Sequence, residues 1–123
     1  VKLFRIEATR DIARHGVKSG DLGGYVEKED NLSGNAWVFG NARVSGDKIN
    51  SVADCCNITN QKYNITILPD FIRIGCQFHR REEWFGYSDL DIIAMDGKGG
   101  LEWWRIWKPV LQMICERMTQ EDK

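Results

Sequence analysis

Two histidines, His15 and His79, and four cysteines, Cys55, Cys56, Cys76 and Cys115, are the only imidazoles and thiols the chain can bring to nucleophilic or metal chemistry. Nucleophilic catalysis needs a Ser, Thr or Cys held against a base, and neither histidine stands in a recognisable nucleophile motif. Cys76 and His79 are the best pair on offer, and a catalytic role for them is the weaker reading. Cys76-Gln-Phe-His79 also has a C-x-x-H look, but zinc needs two further ligands and the adjacent Cys55-Cys56 is the only other cluster. Gly97-Lys-Gly-Gly100 lacks the preceding strand and the full spacing of a phosphate loop, so a turn between helices is the better reading. Glu82-Glu83 beside Arg80-Arg81 reads as solvated charge rather than as a catalytic carboxylate pair. The chemistry expected is binding, with no catalytic residue, no metal and no cofactor.

The elements that would position a binding site begin with a repeat. Between Leu32 and Asp47 the sequence repeats with a period of six: Gly34, Gly40 and Gly46 are in step, as are Asn35, Asn41 and Asp47, Ala36 and Ala42, and Leu32, Val38 and Val44. An aliphatic residue followed four positions later by a small one, every six residues, is the pattern of hexapeptide β-helices. Val26 extends the register backwards, so Val44 is expected to stack over Val26 and Tyr25 to lie under Arg43, with Trp37 and Phe39 pointing away from the coil axis. Repeat units cannot bury their own apolar face, and about three are normally needed for stability. One coil therefore needs a cover, supplied by the C-terminal half of the chain or by a second copy.

Composition sets the outer bounds. In 123 residues, 17 basic side chains face 18 acidic ones, with a pI near 6.1. That balance argues against bulk nucleic-acid binding, which usually goes with a basic domain, and leaves room for a small anionic ligand. Five Trp is the oddity, since such rings serve interfaces and base-stacking platforms as well as cores. Cysteines without a C-x-x-C pair read as reduced thiols in a cytosolic protein. The charged opening, Val1 to Arg10, is unlike a signal peptide, and no apolar run approaches the ~20 residues of a membrane span, so a cytoplasmic protein is expected.

The remaining elements follow from pattern. Leu3 to Ile6 alternates like a short strand, Gly20 to Gly24 is turn-forming, and Gly46 to Ser51 is polar and is expected to end the solenoid. Tyr63 to Leu68, Pro69-Asp70 and Phe71 to Ile74 read as a β-hairpin. Ser88-Asp-Leu-Asp91 has capping-box spacing for a helix that stops at Gly97. From about Gly100 to Met118 the apolar side chains cover roughly 200° of a helical wheel, more than one core needs, which implies burial on two sides. Pro109 is expected to kink that helix or to divide it. The fold class expected is mixed α+β, with a β-rich part carrying about one hexapeptide coil over residues 1–50 and a β-hairpin plus C-terminal helices over 51–123.

Several stretches together carry a resemblance. These are Gly20-Asp-Leu-Gly-Gly-Tyr-Val-Glu-Lys-Glu-Asp-Asn-Leu-Ser33, the Gly-Asn-Ala repeats, Ile74-Gly-Cys-Gln-Phe-His79 with Glu83-Trp84, Met95-Asp-Gly-Lys98, Trp103-Trp104 and Trp107-Lys-Pro109. In them the chain resembles a group of phage hexapeptide-repeat proteins, and within that group the first type of Thoeris anti-defence proteins. The longer members of the group carry many more hexapeptides, so a plain structural role for those need not transfer to this short solenoid; a structural or oligomerising hexapeptide-repeat protein without a small-molecule ligand is the alternative. The resemblance implies a sponge that sequesters cyclic ADP-ribose isomers, with cyclic oligonucleotides as a second ligand class, and so blocks Thoeris- or CBASS-type immunity in the infected host cell. It further implies a homo-oligomer, a dimer or a trimer of dimers, with sites between protomers. Aromatic faces suit adenine and guanidinium groups suit pyrophosphate. Phe78, Trp84, Phe85 and Trp103 are the stacking candidates, Arg73, Arg80, Arg81 and Arg105 the phosphate candidates, and His79 a hydrogen-bond donor. Asn35, Asn41 and Arg43 on the coil form a second candidate site.

Overall fold

A computed structural model describes residues 2–12, 16–33, 36–40, 42–59 and 62–121, the side chains of Val52 and of 119–121 excepted. The alternating Leu3 to Ile6 stretch gives β1 (Phe4–Glu7), which runs antiparallel to β2 (Leu22–Val26), with Phe4 opposite Val26. On its other side β2 pairs in parallel with β3 (Arg43–Val44), in the register expected from the repeat: Tyr25 opposite Arg43 and Val26 opposite Val44. Gly34, Asn35 and Asn41 lie outside the described residues.

The stacking runs further than the repeat indicates. Ile49 pairs in parallel with Leu32, and the Ser33 N–H donates to the Ile49 carbonyl at 2.9 Å. Ile49 is fully buried, so the polar stretch from Gly46 to Ser51 does not end the column, which continues with one residue fewer in the step. Val26, Val38, Val44 and Ile49 share one core with Ala36, Ala42 and Leu68, and Leu32, Phe71 and Phe78 pack against it. The cover required by a short column thus comes from within the chain. Trp37 does point away from that core, into a second cluster with Ala8 and Val17, where the N-terminal arm covers it. Phe39 remains 45% exposed. β2 crosses its neighbours closely at Gly23 and Gly24: a Cβ at Gly24 would stand 2.6 Å from Val38 Cγ1 and 2.7 Å from the Ala42 carbonyl oxygen.

The second sheet has the order β4 (Cys56–Thr59), β5 (Asn64–Ile67), β6 (Phe71–Ile74), β7 (Gln77–Arg80). The expected hairpin is β5–β6, antiparallel, with Thr66 opposite Arg73 and the turn at Pro69-Asp70. That turn is tied back to the coil, because the Asp70 N–H donates to the Asp47 carboxylate at 3.0 Å. Residues 1–78 form one compact unit and 79–123 another, so the hairpin lies in the same unit as the N-terminal strands. The reason is the packing of Leu68, Phe71 and Phe78 on the valine column.

In the second unit, α1 (Arg81–Gly86) precedes α2 (Asp89–Glu121). Ser88 and Asp91 make both bonds of the capping box: the Asp91 N–H donates to Ser88 Oγ at 3.2 Å and the Ser88 N–H to Asp91 Oδ2 at 2.9 Å. The helix breaks where expected, at Asp96 and Gly97; Gly97, at φ 71° and ψ −169°, occupies a region essentially closed to other residues. At Pro109 the backbone stays in helical φ/ψ, so the helix is not divided there. Pro109 is exposed, so the turn that loses a hydrogen bond lies on the wet side of the helix. Beyond the break, Trp104, Leu111, Cys115 and Met118 are buried, whereas Ile106, Val110 and Met113 are exposed. No helix among the described residues is long and apolar enough to cross a membrane.

Two tests follow from this packing. Gly24→Ala is expected to cost about 1–3 kcal/mol in chemical denaturation, because the added methyl meets backbone as well as a valine. Gly86→Ala, with open space around its Cβ position, serves as the control. Burial raises the Asp47 carboxyl above its ordinary value; the Asp70 and Phe71 N–H groups oppose that shift and the Asp70 charge adds to it. The folded protein therefore holds that proton more tightly than the unfolded chain, and stability falls as pH rises from the ordinary carboxylate range through the raised value. Asp47→Asn, measured by denaturation across that window, is expected to flatten this part of the profile.

Candidate functional site

Strand alternation puts Phe71 and Arg73 on one face of β6, opposite the face of buried Ile72 and Ile74. Phe78 on β7 stacks on Phe71, with ring centroids 4.7 Å apart and planes 8° from parallel. The Arg73 guanidinium lies 4.8 Å from the Phe78 centroid, a cation–π contact that fixes its plane. Its Nη2 donates to Ser45 Oγ at 3.1 Å, while its buried Nε has no hydrogen-bond partner. Ser45 is itself buried, immediately after the inward Val44.

Arg43, the first residue of β3, joins the same corner through its backbone. Its backbone N–H donates to Thr66 Oγ1 at 3.0 Å, and Thr66 is the cross-strand partner of Arg73. Burial is the main cause that lowers the Arg73 pKa, and the Arg43 charge is the next; Cys76 and Glu27 pull the other way. Two guanidinium groups are therefore held within electrostatic reach, one half-buried against a ring and a hydroxyl, the other exposed. Such a corner can bind an oxyanion through charge-assisted hydrogen bonds.

The sequence assigns Arg43 and Arg73 to different sites, and the structure brings them together. Ser45 and Thr66 complete the corner and have no signal of their own beyond their alternation with Val44 and with Ile65 and Ile67. Asn35 and Asn41, the other members of the coil site, fall outside the described residues.

The other candidates lie in the second unit. The Trp84 ring is buried, 5.4 Å from Trp104, and meets His79 and Tyr87 edge to face at 5.1 and 5.6 Å. Phe85 stacks on Trp104 at 6.2 Å, and Trp103 on Trp107 at 5.7 Å. Trp84 thus serves as a core ring rather than an open platform. Arg81 is engaged within its unit, donating to the Cys115 carbonyl at 3.5 Å and to Met118 Sδ at 3.7 Å. Arg80 caps α1 and is exposed, its N–H donating to Glu83 Oε1 at 3.1 Å. Arg105 pairs with Asp89 at 2.7 Å on the surface, where such a bridge contributes little.

All four thiols are free. Burial, with the neighbouring Cys56 and Asp54, pushes the Cys55 thiol up to about 12, which makes it a poor nucleophile. Among the described residues no group of three or more His, Cys, Asp and Glu is placed to hold a metal ion. Comparison of the chain with protein-family models, with curated proteins and with solved structures finds no match.

The Thr66 hydroxyl is the joint of the corner, fully buried and accepting from the coil. Thr66→Val keeps the shape and removes the acceptor, leaving the Arg43 N–H without its partner. It is expected to cost about 1–3 kcal/mol in urea denaturation. Thr66→Ser, which keeps the hydroxyl, should recover a large part of that loss.

Proposed function

We propose that the protein is a non-catalytic phage anti-defence sponge that captures cyclic ADP-ribose-type immune signals in the infected host cell. The observation that supports this reading most is the Arg43–Arg73 corner. One guanidinium is pre-set by the Phe78 ring and the Ser45 hydroxyl, and the charge of Arg43 acts on it. A pyrophosphate bridge presents anionic oxygens, which guanidinium groups complement through charge-assisted hydrogen bonds. Cyclic oligonucleotides carry the same phosphate chemistry and form the second ligand class. We read residues 26–49 as one coil of a hexapeptide β-helix, supported by the Val26–Val44 and Leu32–Ile49 pairings. Sites shared between protomers of a homo-oligomer belong to the same proposal.

A second reading is an oligomerising hexapeptide protein without a ligand, favoured by the apolar stripe left exposed on α2. Thermal shift against cyclic ADP-ribose isomers and cyclic di- and trinucleotides, with mass spectrometry of what heat denaturation releases, separates the two. The sponge reading expects one nucleotide to raise the melting temperature and to be recovered intact. Arg43→Ala and Arg73→Ala are each expected to weaken its binding about 10- to 100-fold, the loss of one charge-assisted contact. No shift with any nucleotide, or recovery of a converted product, overturns the proposal.

A further inference from the structure

The one ring at the arginine corner, Phe78, is already engaged by the Phe71 ring at 4.7 Å and by the Arg73 guanidinium at 4.8 Å. A base attached to a captured phosphate needs another aromatic face, and the first sheet supplies one. Strand register sets Arg5, Tyr25 and Arg43 side by side across β1, β2 and β3, with Arg5 opposite Tyr25 and Tyr25 opposite Arg43. Tyr25 precedes buried Val26 and Arg43 precedes buried Val44, so alternation turns both side chains away from the valine column and onto one face of the sheet. The Arg5 guanidinium stands over the Tyr25 ring, 5.7 Å from its centroid, and is anchored by the bond from its Nε to the Gly23 carbonyl at 3.2 Å. Among the described residues no other ring or cation contacts Tyr25, which is only half-buried.

The outward residues of β2 give a bound phosphate compound two directions in which to extend. One leads to Glu27, two residues on, whose N–H donates to the Val44 carbonyl at 2.9 Å and whose charge acts on Arg73. A carboxylate there repels further anionic groups. The other leads to Tyr25, a flat uncharged face backed by a cation, on which a base of any identity can stack. Neighbouring strands lie about 4.8 Å apart, so Tyr25 is set from Arg43 by about the reach of the ribose that joins a base to its phosphate. We infer that Tyr25 is the base-stacking platform of the site: with the phosphate on the guanidinium groups, the attached base lies on the Tyr25 ring, which Arg5 holds from behind. The compounds selected are those in which one sugar separates a phosphate from a flat heterocycle. A base-free polyphosphate uses the guanidinium end alone.

This inference rests on the nucleotide-capture reading, and its test separates the two. Cyclic ADP-ribose isomers and cyclic di- and trinucleotides are titrated calorimetrically into the full chain, with inorganic pyrophosphate as the base-free probe. Tyr25→Leu, which keeps apolar bulk on the strand, is expected to weaken nucleotide binding about 10- to 100-fold and to leave pyrophosphate binding unchanged. Tyr25→Phe, which keeps the ring, is expected to retain the wild-type affinity. The chain has three tyrosines, so ring-selective isotope labelling of the wild-type protein gives a second readout. Base protons of the bound nucleotide are expected to show nuclear Overhauser contacts to the ring whose signals disappear in Tyr25→Phe. That readout decides the matter even if Tyr25→Leu fails to fold. A wild-type protein that binds none of the nucleotides overturns the capture reading and this inference with it. Nucleotide binding unchanged in Tyr25→Leu, an equal loss for nucleotide and pyrophosphate, or base protons without contact to Tyr25 overturns the stacking role alone.

Discussion

Everything in the N-terminal unit depends on closing one short stack of aliphatic side chains. Val26, Val38, Val44 and Ile49 bury one another only in part, because each has a neighbour from the coil on too few sides. Leu68 from the hairpin, with Phe71 and Phe78 beside it, fills the open side. The gain is ordinary apolar burial, yet its location has consequences for the polar chemistry around it. Phe71 and Arg73 are two residues apart on one strand face, and Arg43 precedes Val44, so seating Phe71 on the stack carries both guanidinium groups to the same corner. The Asp47–Asp70 link, at the far end of the hairpin turn, holds the same seam from outside.

This dependence explains which features could be read from the residues alone. The six-residue period is local, and it correctly pairs Val26 with Val44 and Tyr25 with Arg43. The Pro69-Asp70 turn, the Ser88–Asp91 capping box and the stop at Gly97 are local too, and each appears where its residues place it. Ile49 was hidden because the step to it from Leu32 is one residue short, which takes it out of the repeat. Pro109 illustrates the converse: its rule is strong, but on the exposed side of a long packed helix the loss of one hydrogen bond is outweighed by continued burial of Leu111, Cys115 and Met118.

The candidate site was legible in type but not in grouping. The guanidinium and aromatic side chains of the corner are among those the sequence singles out. Their partners are set by contacts far apart in sequence, as in the bond from Arg43 to Thr66. The aromatic residues near the end of the sheet and in the helices, Trp84 above all, turn out to be occupied by one another. A ring in sequence looks the same whether it will stack on a ligand or on a neighbouring indole, and only burial separates the two.

The partner that steadies Arg73 is an uncharged hydroxyl, not a carboxylate. A carboxylate in that place would have cancelled the field on the spot, whereas Ser45 aligns the guanidinium and leaves its charge to act outward. On the proposed nucleotide capture, long-range attraction would add to the rate at which a dissolved polyanion finds the corner, and simple electrolyte, by shortening the reach of that attraction to about 8–10 Å, would slow the encounter.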